Sequence, residues 1–501
     1  MTVRIRVDWR ISLGLTGTVL SYLTIPLLFP VAIALYYGEP IGPFLVTIAV
    51  TLVLAFGLNT VSVEGDLGAR EAFLAVSLIW LLVAVVGAIP FLVAGDGVTA
   101  HPVNALFESM SGITTTGATV MLDFDAHTRS IMMWRQVQQW LGGLGILILA
   151  TAILSEVGVG GAQLMESETW TTTVHKLTPR IAETARILLG LYAAITALAV
   201  VVLYVLFLVG LAPNMTLYNA IAHALTSVAT AGFSPEPASA GAFSPIAQWV
   251  LVACMLIGAT SFGLIYAVLT EAEFQRLRSN EELRFYLGGT AVAAGLVAAA
   301  LTFDPSIDPN LEQTIRHAVF NTVSIVTTTG YASTDFNLWS PAAKHVLFTC
   351  MFLGGMVGST TCSIKTLRWL VVLKAFYREL FTAIHPSAVR PIRVSDDPVD
   401  ESTVQDIYGF VLLSLVLAFG LTVFVVVDAA RVGLRVSEFE AMSAAASTFL
   451  NIGPAFGSAG PYGSYHAFPA TTKTAMVLLM WIGRVEIIPV LTLFTRAFWR
   501  S

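Results

Sequence analysis

The sequence predicts an all-α integral membrane protein: ten transmembrane helices, eight of them in four quasi-equivalent helix, pore-loop, helix repeats around one central pore, with two further helices at the N-terminus. Three observations lead there. The chain is rich in long apolar runs and poor in charge. One glycine motif recurs four times. Each copy follows a helix too short to cross a bilayer and precedes a long apolar run.

The chain has 501 residues, of which 56 % are hydrophobic and 12 % charged, against about a quarter charged in soluble proteins. Runs of at least ~18 apolar residues with few charges mark spanning helices. They are Ile11 to Tyr37, Ile41 to Thr60, Ala72 to Ala94, Ile131 to Leu154, Ile187 to Leu211, Ile246 to Leu269, Phe285 to Leu301, Ala342 to Lys365, Ile407 to Val427 and Thr474 to Phe494. One soluble core could not hold them all. The first run follows Arg4, Arg6 and Arg10 as a signal peptide would, but it is too long and lacks an A-x-A cleavage pattern, so it is read as a retained helix. Cys254, Cys350 and Cys362 all fall at membrane depth without ligand spacing, which argues against a disulfide framework and against a metal site.

The motif copies are "SGITTTGAT" from Ser111, "TSVATAGFS" from Thr226, "SIVTTTGYA" from Ser324 and "STFLNIGPA" from Ser447. Registered on Gly117, Gly232, Gly330 and Gly453, position −6 reads Ser111, Thr226, Ser324, Ser447, and position −2 reads Thr115, Thr230, Thr328, Asn451. A further small motif follows inside each long run, at Gly142, Gly258, Gly354 and Gly483. The expected boundaries are 1–64 for the leading helices, then repeats at 65–160, 161–272, 273–395 and 396–501. The loops between repeats, Glu166 to Arg186, Glu271 to Arg284 and the basic segment ending "PSAVRPIRVSDDPVDES", are charged and suit docking of a soluble partner.

Irregular backbone at membrane depth is tolerated only where it is buried in protein or lines a water-filled cavity. Four such segments meet that condition together by facing one axis. Turning successive carbonyls to one side requires backbone angles that glycine reaches freely. Carbonyls of positions −2, −1 and 0 would then replace the water around a dehydrated cation. Those positions are Thr115, Thr116 and Gly117; Thr230, Ala231 and Gly232; Thr328, Thr329 and Gly330; and Asn451, Ile452 and Gly453. Threonine hydroxyls at −2 can add ligands or pin the strand from behind. No carboxylate stands in the motif, which argues against a divalent-cation ring. The short helices end at the loops, so their C-terminal partial charges of about −0.5 favour a cation beneath.

The basic residues set the orientation. A cytoplasmic N-terminus places Lys176, Arg180, Arg186, Arg276, Arg278, Arg284, Arg368, Lys374, Arg378, Arg390, Arg393, Arg496 and Arg500 inside. Seven basic residues and thirteen carboxylates stay outside, among them Asp96, Asp123, Asp125, Asp304, Asp308 and Asp335, so the whole formal charge of −6 falls on the outer face. Such a face concentrates cations at a pore mouth over about 8 Å at physiological salt.

"TTTGAT", "ATAGFS", "TTTGYA" and "NIGP" resemble the four pore loops of the TrkH, KtrB and HKT superfamily of potassium-translocating proteins. "WLGGLGI" resembles its first inner helix and "GRVEIIPVL" its last, and the two leading helices point to the TrkH branch. The resemblance spans the chain from about Gly65 to its end. It implies a bacterial inner-membrane homodimer with one potassium pore per subunit, both termini cytoplasmic, gated by a nucleotide-binding RCK ring (TrkA). It implies no cofactor beyond transported K+ at the filter residues, no enzymatic activity and no nucleic-acid partner. In this family glycine in all four loops goes with potassium, and serine in the first with sodium; Gly117 is glycine.

Repeat 3 departs from the others. A continuous helix from Ala342 to Phe381 would run about 60 Å, twice the bilayer core, so it must break, bend or leave the membrane. The break is written as "GGMVGSTTCSIK", Gly354 to Lys365. It resembles the family's intramembrane gating loop, with Gly354, Gly355, Gly358, Ser359, Thr360 and Lys365 in place, but Thr361, Cys362 and Ser363 stand where the family is richer in glycine. Arg484, about 15 Å into the last helix, needs a cavity or a partner at that depth. Its match to the family's arginine implies a place below the filter beside the 354–365 loop. The leading function is a potassium-selective, channel-like uptake protein. The alternative is a K+ symporter coupled to H+ or Na+, for which Arg484, Glu486 and Lys365 form no evident proton relay.

Overall fold

Helices that face lipid must satisfy their own backbone and present apolar side chains outward, and the first two do both. The computed structural model describes residues 7–63, 65, 68–152, 181–271, 274–303, 310–395 and 397–500. Arg4, Arg6, Lys176, Arg180, Asp304, Asp308 and the linker from Glu166 as far as Arg180 lie outside the described residues. Helices α1 (Trp9–Tyr37) and α2 (Gly42–Val61) pack as a hairpin, with Tyr22, Val53 and Phe56 exposed.

Four groups of helices follow. The first comprises α3 (Ala69–Gly87), α4 (Ile89–Ala94), the short α5 (Pro102–Ile113) and α6 (Arg129–Ala152). In the second are α7 (Ile181–Leu208), the short α8 (Leu217–Val228), α9 (Pro245–Gly258), α10 (Phe262–Glu271) and α11 (Gln275–Ser279). The third has α12 (Glu281–Thr302), the short α13 (Leu311–Val326), α14 (Pro341–Cys350) and α15 (Thr366–Ile384). The fourth has α16 (Glu401–Arg431), the short α17 (Glu438–Phe449), α18 (Ala470–Arg484), α19 (Ile488–Leu493) and α20 (Arg496–Trp499). A two-residue hairpin pairs Arg393–Val394 with Asp397–Pro398 between the last two groups.

Capping explains the short helices. Thr216, Asn310 and Ser437 accept from the amides of Asn219, Gln313 and Glu440 and so start α8, α13 and α17. Pro102 starts α5, and Pro245 and Pro341 sit at N1 of α9 and α14, where the missing N–H costs nothing. The short helices are buried over most of their length, and alanines such as Ala220, Ala222, Ala224 and Ala444 to Ala446 allow close approach.

The ten apolar runs do not become ten uninterrupted spanning helices. Among the described residues six helices are long and apolar enough to cross a membrane, or seven if α9 and α10, bent by 94°, count as one span. The physical reason lies in the second helix of each group. The first half of α6 carries Arg135, Gln136, Gln138 and Gln139, all buried. α9 breaks between Gly258 and Phe262, α14 stops at Cys350, and α18 stops at Arg484, where Glu486 and Ile487 take φ of 64° and 58°.

The leading hairpin is tied to the groups at its turn. Both carboxylate oxygens of Glu39 accept from the first amides of α6, Arg129 at 2.8 Å and Ser130 at 2.9 Å. The Arg129 guanidinium lies 4.5 Å from the Tyr37 ring centre. An anion at a helix N-terminus stabilises by about 0.5–2 kcal/mol. Glu39→Ala is therefore expected to lower the midpoint of thermal unfolding in detergent by a few degrees, and an unchanged midpoint contradicts the capping role.

Candidate functional site

The four glycine loops have the same backbone. Each short helix ends just before its loop, and the −2 residue of each turns left-handed: Thr115 at φ 57°, Thr230 at 50°, Thr328 at 52° and Asn451 at 56°. The glycines are left-handed too, at 79°, 77°, 82° and 108° for Gly117, Gly232, Gly330 and Gly453. A positive φ at a β-branched residue costs on the order of 1–3 kcal/mol and persists only where its surroundings hold it. Here the amide of each −1 residue donates to the −6 carbonyl: Thr116 to Ser111 and Ala231 to Thr226 at 2.9 Å, Thr329 to Ser324 at 2.8 Å, Ile452 to Ser447 at 2.9 Å.

The loops form a closed ring. A Cβ added to Gly117 would come 2.6 Å from the Ala231 carbonyl oxygen of the second loop. One on Gly232 would strike the Thr329 oxygen of the third, and one on Gly330 the Ile452 oxygen of the fourth. One on Gly453 would come 2.6 Å from the Thr116 oxygen of the first. The twelve residues singled out at −2, −1 and 0 are thus brought together, and each glycine is required by its neighbour as well as by its φ. Above the ring, all four glycines line the floor of an open bowl whose walls include Thr119, Phe233, Glu236, Pro454 and Tyr462.

A set of clamps that the motif did not show holds the chain leaving each glycine. Nine residues before the glycine stand Glu108, His223, Asn321 and Ala444. The Glu108 carboxylate accepts from the Thr119 hydroxyl and the Val120 amide, both at 3.0 Å. His223 Nε2 meets Ser234 Oγ at 3.0 Å, and Asn321 Nδ2 donates to Ser333 Oγ at 3.0 Å. In the fourth loop Ser443, beside Ala444, accepts from the Phe456 amide at 3.1 Å. Extending the glycine register upstream would have found three of these by their polarity in otherwise apolar helices.

The first clamp contains a buried ion pair. Arg135 Nε lies 2.8 Å from Glu108 Oε1, and both side chains are almost fully enclosed. The guanidinium also donates to the Ser234 carbonyl at 3.2 Å and to Thr119 Oγ1 at 3.3 Å, with the Phe233 ring centre 4.0 Å away, so it joins loops 1 and 2. One turn along α6, Gln139 donates to the Ala231 carbonyl at 2.6 Å and accepts from the Phe233 amide at 2.9 Å. At the fourth loop the Tyr465 hydroxyl donates to the Gly453 carbonyl at 2.8 Å. Two of the twelve carbonyls, those of Ala231 and Gly453, thus also accept from protein donors, which leaves each a second lone pair.

On the other side of the ring lies the chain from Gly354 to Lys365. Here the −2 threonines turn their hydroxyls towards this loop rather than into the ring. Thr230 Oγ1 lies 2.9 Å from Thr360 Oγ1, Thr328 Oγ1 accepts from the Cys362 amide at 3.0 Å, and Thr115 Oγ1 is 3.8 Å from Cys362 Sγ. The loop also repairs the break between α9 and α10. Thr360 and Met356 donate their amides to the Gly258 and Ala259 carbonyls at 3.2 and 3.0 Å, and Phe262 donates to the Gly358 carbonyl at 3.0 Å. Gly355 packs so tightly on Ala259 that a Cβ would come 2.7 Å from its oxygen. Ser359 Oγ pairs with Thr361 Oγ1 at 2.7 Å, and Lys365 donates to the Thr361 carbonyl.

Arg484 joins this loop to the first group. Its guanidinium donates to the Thr360 carbonyl at 3.1 Å and the Gly142 carbonyl at 2.7 Å, touches Cys362 Sγ, and lies 5.4 Å from the Trp80 ring centre. Glu486 is paired with Arg368 of α15. Gly142, Gly258 and Gly483 have a common role: a Cβ there would strike the carbonyls of Ile113, Val228 and Phe449, each four residues before a ring glycine. Gly354 has no such role; its neighbours are the Cys362 and Ile364 carbonyls of its own loop. Among the described residues no group of His, Cys, Asp and Glu is arranged to hold a metal ion, and all three cysteines are free thiols.

The family model for TrkH, described as a cation transport protein, matches residues 42–292 and 305–501. The Trk system potassium uptake protein TrkH of Halomonas elongata is 34 % identical over 498 residues, covering 98 % of this chain and 99 % of that one. The Escherichia coli K12 protein of the same description is 33 % identical over 441 residues, covering 87 % and 88 %. The crystal structure of the potassium transporter TrkH from Vibrio parahaemolyticus superposes with a TM-score of 0.87 at 30 % identity, over 99 % of this chain and all of that one.

Removing one partner of a buried ion pair costs about 3–5 kcal/mol, because the other charge stays buried. Glu108→Gln is expected to destabilise the protein by that order, measured as loss of monodisperse protein on heating in detergent. Wild-type survival would mean that the Glu108–Arg135 pair does not hold the first two loops.

Proposed function

Since the chain belongs to the TrkH family of cation transport proteins, a family of multi-pass membrane transporters rather than enzymes, we propose that it takes up potassium through the ring of four glycine loops. The observation that carries this reading is the closed order of the loops, each glycine set against the −1 carbonyl of the next. Ring oxygens of backbone carbonyls replace the hydration shell of a monovalent cation. No carboxylate side chain stands among the twelve ring residues, so nothing there favours a divalent ion over a monovalent one. The four short helices aim their C-terminal partial charges at the space beneath, which stabilises a dehydrated cation there.

The 354–365 loop is the gate in this reading. Its bonds to Thr230, Thr328, Gly258, Ala259, Phe262 and Arg484 number about six, and at about 1 kcal/mol net each they hold the path shut by several kcal/mol. Opening then needs work from outside the membrane. A ring of nucleotide-binding RCK subunits, acting on α11 and α15 at the cytoplasmic face of a homodimer in the bacterial inner membrane, supplies it. Both termini lie in the cytoplasm. Arg484 adds a fixed positive charge on the path and a strap on the loop. The channel-like reading is preferred to proton or sodium coupling because the carboxylates beside the loop are engaged, Glu486 paired with Arg368 and Glu282 accepting from the Val357 amide.

Two variants test the reading. Arg484→Ala is expected to raise potassium flux in liposomes by about tenfold or more, since it removes two loop-side hydrogen bonds; flux unchanged or lower at equal protein contradicts the gate. Gly117→Ser is expected to admit sodium. A variant that still excludes sodium in bi-ionic reversal-potential measurements contradicts the filter.

A further inference from the structure

At position −1 the four-fold likeness of the ring is broken at one oxygen. Among the described residues no hydrogen bond reaches the −1 carbonyls of Thr116, Thr329 or Ile452, whereas that of Ala231 accepts from Gln139 Nε2 at 2.6 Å. Gln139 is fully buried, and its other amide end is occupied as well, Oε1 accepting from the Phe233 amide at 2.9 Å. With both ends bonded the side chain has one orientation, and the Ala231 oxygen has one position.

The sequence carries the same break. Three residues before the small motifs at Gly142, Gly258, Gly354 and Gly483 stand Gln139, Met255, Met351 and Met480. All four are fully buried. A thioether has no hydrogen to donate, so none of the three methionines can hold a carbonyl as Gln139 does. Methionine fills irregular apolar space and adapts to its neighbours, which is suitable where the adjoining loop is left to move.

We propose that Gln139 is a specificity-determining positioning residue. It holds the Ala231 oxygen at a fixed radius in the ring and so prevents the second loop from closing on a cation smaller than potassium. This rests on the reading that the ring is the ion path. A free carbonyl can follow an ion inward; one anchored from behind by a locked amide must break that hydrogen bond to do so. Sodium, being smaller, demands the larger inward movement and loses more.

The test is the ratio of sodium to potassium permeability, from bi-ionic reversal potentials of the full-length protein in planar bilayers. Gln139→Met installs the residue of the other three groups, and Gln139→Glu keeps the acceptor for the Phe233 amide while removing the donor to Ala231. Both are expected to raise relative sodium permeability about two- to tenfold, the value of one hydrogen bond of ordinary strength. A residue needed only for folding would change yield or total current and leave the ratio where it was. Gly117→Ser is run beside them. If it admits sodium while both Gln139 variants keep the wild-type ratio, the inference is overturned and the ring reading stands. If none of the three changes the ratio, the ring reading falls and this inference with it. Where Gln139→Met yields no folded protein, the near-isosteric Gln139→Glu decides alone.

Discussion

Inside a bilayer a peptide group that leaves a helix has no water to turn to, and each unsatisfied one costs several kcal/mol. This chain leaves helical geometry at membrane depth in several places: four glycine loops, the bend after Gly258, the stretch after Cys350 and the end of α18 at Arg484. The rest of the structure is arranged around satisfying them. The −1 amides fold back on the −6 carbonyls, the −9 side chains hold three of the four outgoing strands, and the 354–365 loop caps the bend of its neighbour. The first two repairs stay within one group, whereas the 354–365 loop, Arg135 and Gln139 tie neighbouring groups together.

The same constraint explains why the interior charges occur in company. Glu108 faces Arg135, Glu486 faces Arg368, Lys473 donates to Asn104 at 2.7 Å, and Arg484 is held by two carbonyls. A buried pair adds little net stability but is costly to break, so these pairs fix geometry more than they stabilise the fold. The third group differs because its second helix, α14, gives way after Cys350 to a loop that borrows partners from the other three. A segment held by borrowed bonds can be released without unfolding the scaffold, and that makes it suitable as the moving part of the proposed path.

Much of this was legible in the sequence. Hydropathy gave the membrane class, the short helices followed from the distance between apolar runs, and the glycines at 117, 232, 330 and 453 marked the loops because only backbone freedom accounts for their recurrence. The length from Ala342 to Phe381 foretold the break in the third group. Other features were not legible. Continuous apolar composition hid the bend after α9 and the end of α18, since hydropathy does not register a break whose polar groups are satisfied by a distant loop, as at Gly258 and Ala259, or by a local turn, as at Glu486 and Ile487. The left-handed −2 threonines run against their own preference and are held by tertiary contacts. Arg135 and Gln139 read as part of a spanning run, and what they grip lies about a hundred residues away.

The central claim is that potassium sits between the four glycine loops, held by main-chain oxygens. The most direct measurement is an anomalous difference map from crystals grown with rubidium or thallium in place of potassium. The account predicts peaks on the axis between the carbonyls of Thr116, Ala231, Thr329 and Ile452. Peaks only at acidic side chains away from the loops, with the ring empty, would contradict it.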